Sequence, residues 1–434
     1  MPDAAALRDA ATTLETARDL DPLIHRIGNA RYVLLGEASH GTSEYYTWRT
    51  EITKRLVVEK GFTFIAVEGD WPDCYRVNRY VKGYPESGDS AEAVLHEYER
   101  WPTWMWANRE SVALAEWLRE HNRVRDEDAR VGFYGLDVYS LWESMHAVVD
   151  YLDRIDPRLA DGARRAYRCF DPYAEDAQDY ARSTYLVPTD CEREVVSVLR
   201  ALREKAPEYR DDGRETFFNA EQNALVARNA ELYYRTMVRG GPTSWNVRDT
   251  HMVETLERLM RHHGTGAKAI VWEHNTHVGD AGYTDMARAG MVNVGQLVRQ
   301  AHDPERVVLV GFGSHSGAVI ASDEWGAPMQ RMIMPPARDE SWEACCHDAL
   351  RRDALLVFDG EDDGGIRGLD EAIDHRAIGV IYDPRRERWG NYVPSLIARR
   401  YDAFLYIDET RALDPLHMPA HVDHEIPETY PTGM

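Results

Sequence analysis

Residues 31–42 read RYVLLGEASHGT, and the fold turns on how the apolar run at its start is read. Val33, Leu34 and Leu35 follow one another with no polar residue between them, which does not fit a strand with one wet face, and the run is too short for a helix. It fits a strand covered on both faces, as in a parallel sheet. From Gly36 to Thr42 the residues turn small or polar, and SEYYTWRTEITKRLVVEK (43–60) then reads as the helix that follows. Glu37 and His40 thus sit in the loop at a strand's carboxyl end.

Runs of the same kind recur along the chain: FTFIAVEGD, RVGFYGLD, AKAIVWEHN, RVVLVGFG, ALLVFDG, AIGVIYD and AFLYIDE. Together they predict an α/β fold with a mostly parallel central sheet flanked by helices. Many end in an acid: Glu37, Glu68, Asp137, Glu273, Asp359 and Asp383. The ligand crevice of an open α/β sheet lies beyond the carboxyl ends of its strands, although the same acids also cap following helices. Residues 141–264 hold no strand-like run. Stretches such as CEREVVSVLRALREKAPEYR repeat apolar residues at helical intervals, which predicts a helical insertion over the strand ends, inside one catalytic domain spanning 1–434.

The 434 residues are 44% hydrophobic and 29% charged, the balance of a globular protein with a large core. A formal charge of −23, spread along the chain, argues against nucleic acid and anionic membrane as partners. Arg outnumbers Lys, as a GC-rich genome or a high-salt habitat would produce. The amino terminus has no basic segment followed by an apolar one, and nowhere do about 18 apolar residues run together, so a cytoplasmic protein is expected. Five cysteines, Cys74, Cys169, Cys191, Cys345 and Cys346, match no zinc spacing and are expected to be reduced, structural thiols. Oligomeric state is not legible.

Two strand ends offer both Glu and His: Glu37 with His40, and Glu273 with His274 and His277. Arg49 falls about two turns into the helix after the first, and Glu68 ends the next strand. Neutral His takes a proton from water near pH 7, a neighbouring carboxylate orients its ring, and a second His or an Arg stabilises an oxyanion. That chemistry is hydrolysis without a covalent intermediate. G-x-S-x-G, the phosphate-binding G-x-x-x-x-G-K-[ST] and H-E-x-x-H are all absent, and GFGSHSG lacks the dinucleotide spacing. No organic cofactor is indicated. Glu37, His40, Glu68, His274 and His277 also suit a divalent metal as ligands. Asp137, Arg248 and His315 are candidates for substrate contact, each with a structural alternative as cap, ion pair or solvated loop residue. Trp101, Trp104 and Trp106 fit either a pocket wall or the core.

LLGEASHGTSEYYTWR, FIAVEGDW, WPTWMWANRE, RDTHM and VWEHNTHVGD, in this order over most of the chain, resemble the erythromycin esterase family. The resemblance implies an α/β hydrolase, some of whose relatives open the lactone ring of macrolide antibiotics. It implies His40 as the base that activates water, oriented by Glu37, with Glu68, Arg49, His274 and His277 at other active-site positions and no metal required. The family's more distant likeness to a metalloprotease-like fold keeps metal ligation open. The expected substrate is a small-molecule ester or macrocyclic lactone; a metal-dependent hydrolase or a non-catalytic binding protein fits the same residues.

Overall fold

The structure, a computed structural model, describes residues 2–173, 177–186, 190–209, 214–238, 241–360 and 365–416. Its strands are β1 (Thr12–Thr13), β2 (Tyr32–Leu35), β3 (Phe64–Asp70), β4 (Gly132–Asp137), β5 (Ala269–Trp272), β6 (Val307–Ala321), β7 (Gln330–Met334), β8 (Ala354–Val357), β9 (Ile373–Arg376), β10 (Tyr392–Ser395) and β11 (Ala403–Thr410). Nine of them form one sheet in the order β1-β8-β11-β6-β2-β5-β3-β4, with β7 added to β6, while β9 and β10 form a separate pair. The central run β11, β6, β2 and β5 is parallel. β2 is buried at every position, as its unbroken apolar run requires.

The antiparallel pairs are β8 with β11, β1 with β8, and β7 with β6. The run AIGVIYD forms no strand. Ile378 and Ile381 make one isolated bridge each, to Ser39 and Ser322, and Ile378 and Tyr382 bury against Val319, Ala321 and Met334. Its apolar character therefore reflects core packing. GFGSHSG, read as a loop after a strand, belongs to the 15-residue β6. Gly317 makes this possible, since its φ is +135° and a Cβ there would stand 2.2 Å from the Thr410 carbonyl oxygen. Beyond it, residues 317–321 pair with β7.

The chain divides into two compact units, one made of Met1–Ala66, Val77–Phe133 and Gly266–Met434, the other of Val67–Arg76 and Tyr134–Thr265. In the second unit the helices are Leu141–Ile155, Pro157–Tyr167, Ala177–Leu186, Glu192–Tyr209, Arg214–Met237 and Pro242–His263. Asp156 caps the second of these through the Leu159 amide, and Pro157 occupies its first position, where no intrahelical donor is lost.

The thiol expectation fails at one pair. Cys169 and Cys191 form a disulfide, their Cα atoms 5.8 Å apart, leaving Cys74, Cys345 and Cys346 free. The turn Arg168–Tyr173 and the start of the Glu192–Tyr209 helix meet in space, a proximity that a 22-residue separation does not reveal. Trp101, Trp104 and Trp106 are all buried, Trp101 donating to the Ala327 carbonyl and Trp106 packing on Tyr46 and Phe133. Among the described residues no helix is long and apolar enough to cross a membrane.

Candidate active site

β2 lies between β5 and β6, with Leu35 level with Trp272 and Val310. Gly36 continues the strand by donating to the Val310 carbonyl at 2.8 Å. A Cβ at this glycine would stand 2.1 Å from Asn275 Oδ1, so only glycine admits that amide beside the strand. The chain then turns and delivers Glu37 and His40, both buried.

His40 Nδ1 lies 2.9 Å from Glu37 Oε1, and Arg49 donates to Glu37 Oε2 at 2.6 Å. Arg49 comes from the helix Ser43–Lys60 and is fully buried. Its guanidinium lies between the rings of Tyr46, at 4.4 Å, and Trp272, at 4.5 Å. A buried cation is tolerated when a carboxylate and aromatic faces replace its water. Both Glu37 oxygens are thus engaged. A carboxylate can only accept, so His40 donates from Nδ1, and in the neutral ring the lone pair then lies on Nε2, the form a general base requires.

At the end of β5, His274 caps the short helix Asn275–Val278. The Thr276 amide donates to His274 Nδ1 at 3.3 Å, and the Thr276 hydroxyl lies 2.8 Å from the same nitrogen. An accepting Nδ1 puts the ring proton on Nε2, which makes His274 a donor. The His40 and His274 rings are 4.9 Å apart, centroid to centroid. Glu273 and His277 are buried on the same segment.

The segment is clamped to its neighbours through Asn275. Its amide N–H donates to the Glu37 carbonyl at 2.8 Å. Its side chain gives Nδ2–H to the Phe312 carbonyl at 2.6 Å and accepts the Phe312 N–H at 3.2 Å, which fixes the amide's orientation. Nδ2 also faces His375 Nε2 at 3.1 Å, while His375 Nδ1 lies 2.5 Å from Glu343 Oε1. With a donor on one nitrogen and a carboxylate on the other, His375 is neutral. Burial accordingly holds its pKa below the ordinary value, while His375 and Arg376 outweigh burial and keep the Glu343 carboxyl below its own.

A second constellation belongs to the other unit. Arg248, on the Pro242–His263 helix, donates to Asp137 Oδ1 from Nε at 2.9 Å and to Oδ2 from a terminal nitrogen at 2.7 Å, and also reaches Glu68 Oε1 at 2.7 Å. Tyr139 lies under its guanidinium at 4.8 Å. Burial opposes the charge, but the Asp137, Tyr139 and Glu68 groups hold the guanidinium's pKa well above its usual value.

One turn on, His251 is buried against Asn229, and burial depresses its pKa to about 4. A folded-state pKa below the unfolded one means that the unfolded chain binds the proton first. Stability from this residue is therefore complete above about pH 6.5 and lost as pH falls toward 4, a difference of roughly 2–3 kcal/mol by linkage. Urea midpoints measured between pH 4 and 7 are expected to fall less steeply for His251→Asn than for the parent.

Of the residues expected from sequence, the structure thus brings Glu37, His40, Arg49 and His274 together in one unit, with His277 on the same segment, and Glu68, Asp137 and Arg248 together in the other. His315 goes elsewhere. Its ring stacks on His347 at 3.7 Å, and His347 pairs with Asp408 at 2.7 Å, so it faces the helix Trp342–Leu350. Asn275 and Thr276 stood inside VWEHNTHVGD without being singled out, although an Asn and a Thr beside a histidine at a strand end are candidate orienters. Glu343 and His375, 32 residues apart, carry no local signal.

Both Glu37 oxygens serve His40 and Arg49, and among the described residues no group of three or more His, Cys, Asp or Glu side chains stands in a metal-holding arrangement.

Comparison with known proteins places the fold and the family. The chain is 23% identical over 321 residues to erythromycin esterase type II of Escherichia coli, covering 70% of this chain and 73% of that protein. A solved succinoglycan biosynthesis protein superposes with a TM-score of 0.76 at 22% identity, over 95% of this chain and 97% of that one. A protein of Bacillus cereus does so with a TM-score of 0.77 at 20% identity, over 95% and 98%. An erythromycin esterase variant in its open conformation gives 0.64 at 16% identity, over 93% and 96%. These likenesses establish the fold. The erythromycin esterase family model matches residues 57–410, and the chain belongs to that family.

Proposed function

We propose that the protein hydrolyses a carboxylic ester, macrocyclic lactones included, by direct attack of water activated by His40. The observation that carries this reading is the ordered row Arg49, Glu37, His40, in which the Glu37 carboxylate, itself held by Arg49, fixes the imidazole through Nδ1.

In this mechanism His40 Nε2 takes a proton as the water oxygen bonds to the carbonyl carbon. The Glu37 carboxylate stabilises the imidazolium, and Arg49 fixes Glu37. The carbonyl electrons move onto oxygen, where the His274 Nε2–H supplies a hydrogen bond to the oxyanion. When the tetrahedral species collapses, the ester C–O bond breaks and the leaving alkoxide recovers the proton from His40. The products are a carboxylic acid and an alcohol, joined in one molecule when the substrate is a lactone.

A panel of simple esters and macrolides, followed by mass spectrometry, tests the reading: a gain of one water supports it, and a panel left intact by the folded protein contradicts it. Treatment with chelator is expected to leave turnover unchanged. Thr276→Val removes the hydroxyl beside His274 Nδ1. It is expected to lower kcat by about tenfold with little change in KM, the size of one weakened orienting bond to an oxyanion donor.

A further inference from the structure

We propose that the second unit carries an additional ligand site, for a small organic oxyanion, phosphate or carboxylate, attached to a flat apolar body. The site is the open cleft of about 640 Å³ between the start of the Arg214–Met237 helix and the end of the Pro242–His263 helix. That volume lies within the range of small-molecule pockets.

The cleft joins an aromatic wall to a set of guanidinium groups. Phe218 stacks on His262 with ring centroids 4.0 Å apart and planes 19° apart, and Phe217 lines the cleft nearby. A planar group laid on this wall gains stacking and burial together. Arg214, Arg258 and Arg261 also line the cleft. Arg258 is held in place by Gln222, at 2.9 Å, and Glu221, at 3.0 Å. Arg214 is held by the His262 carbonyl. Arg261 is exposed and pairs with no carboxylate among the described residues.

Among the described lining residues Glu221 is the one carboxylate, and it is doubly matched, by Arg258 and by Arg203 at 2.8 Å, while Glu215 pairs with the lining His262 at 3.0 Å. Burial pushes its pKa up, but these two guanidinium groups outweigh burial and hold it below the usual carboxylate range. The described lining residues thus set three guanidinium groups against one carboxylate, in a chain whose formal charge is −23. Guanidinium forks bind phosphate and carboxylate oxygens in pairs, which selects an oxyanion over any other ligand charge.

The site is joined to the Arg248 constellation through one helix. Arg258 follows Arg248 by ten residues, about 15 Å along the axis. Gln222, which holds Arg258, also donates to the Thr255 hydroxyl at 2.9 Å, and that hydroxyl lies 3.5 Å from His251 Nε2. An occupant would thus brace the helix that carries Arg248.

Titration calorimetry of the full protein with phenyl phosphate and with benzoate, against inorganic phosphate and phenol as controls, tests the assignment. One saturable site for at least one aromatic oxyanion is expected, at least tenfold tighter than inorganic phosphate or phenol. Arg214→Ala and Arg261→Ala are each expected to weaken it by about tenfold or more, while ester turnover by Arg261→Ala stays at the parent level. Binding of neither aromatic oxyanion would overturn the proposal. So would affinity unchanged in both Arg variants, or affinity lost in His40→Ala instead, which would place the ligand at the catalytic residues. The exposed position of Arg261 keeps that variant foldable, and its thermal midpoint checks this directly.

Discussion

Replacing His40 by Ala is expected to lower kcat for ester hydrolysis by about 10²–10⁴-fold, the usual contribution of a general base, in a protein that remains folded. The size follows from the chemistry lost. Water itself is a poor nucleophile, and in the proposed mechanism the His40 lone pair on Nε2 removes its proton as the new bond forms. The fold should survive because β2, β5 and β6 hold the loop through backbone bonds and through Asn275, none of which involves the His40 ring. Circular dichroism together with initial rates separates the two effects. Unaltered turnover would remove His40 from the mechanism.

The second large effect is expected at Arg49. Arg49→Met fills the space between Tyr46 and Trp272 but leaves the buried Glu37 without its cation. Stripping one partner from a buried ion pair costs about 3–5 kcal/mol, because the remaining charge is neither hydrated nor matched. Urea unfolding is expected to show that loss. The catalytic rate should fall as well, since Glu37 then relieves its isolation by taking a proton, from His40 or from solvent, and the lone pair on His40 Nε2 is no longer fixed. Arg49→Lys should fall between the two, because an ammonium keeps the charge without the planar surface that both rings face.

The sequence reading and the structure agree most closely where local pattern and burial coincide. The unbroken apolar runs at β2, β5 and β11 are strands buried over their apolar length, as read, and the change to small and polar residues after Leu35 and Trp272 placed the proposed catalytic side chains at strand ends. AIGVIYD failed because continuous apolar character reports burial alone. Ile378 and Tyr382 are buried by packing on β6 and β7, not by a ladder. The length of β6 was hidden because GFGSHSG looks like a loop until Gly317 is seen to lie on the Thr410 backbone.

The site divides along the same line. His40, Glu37 and Arg49 are close in sequence, so helix and turn geometry made their meeting visible. The tautomers of His40 and His274 depend on partners in space, and the Glu343–His375–Asn275 chain joins residues separated by 32 and 100 positions, which no spacing argument reaches. The disulfide between Cys169 and Cys191 was missed for the same reason.

Direct attack of water activated by His40 leaves an isotopic signature in the product. In a single turnover of an ester in water enriched in ¹⁸O, with product and protein weighed by mass spectrometry, the account predicts one ¹⁸O in the product carboxylate, a protein of unchanged mass at every time point, and no product from His40→Ala on the same timescale. An acylated protein, ¹⁸O incorporated into a side-chain carboxylate, or an equal yield of product from His40→Ala would contradict it.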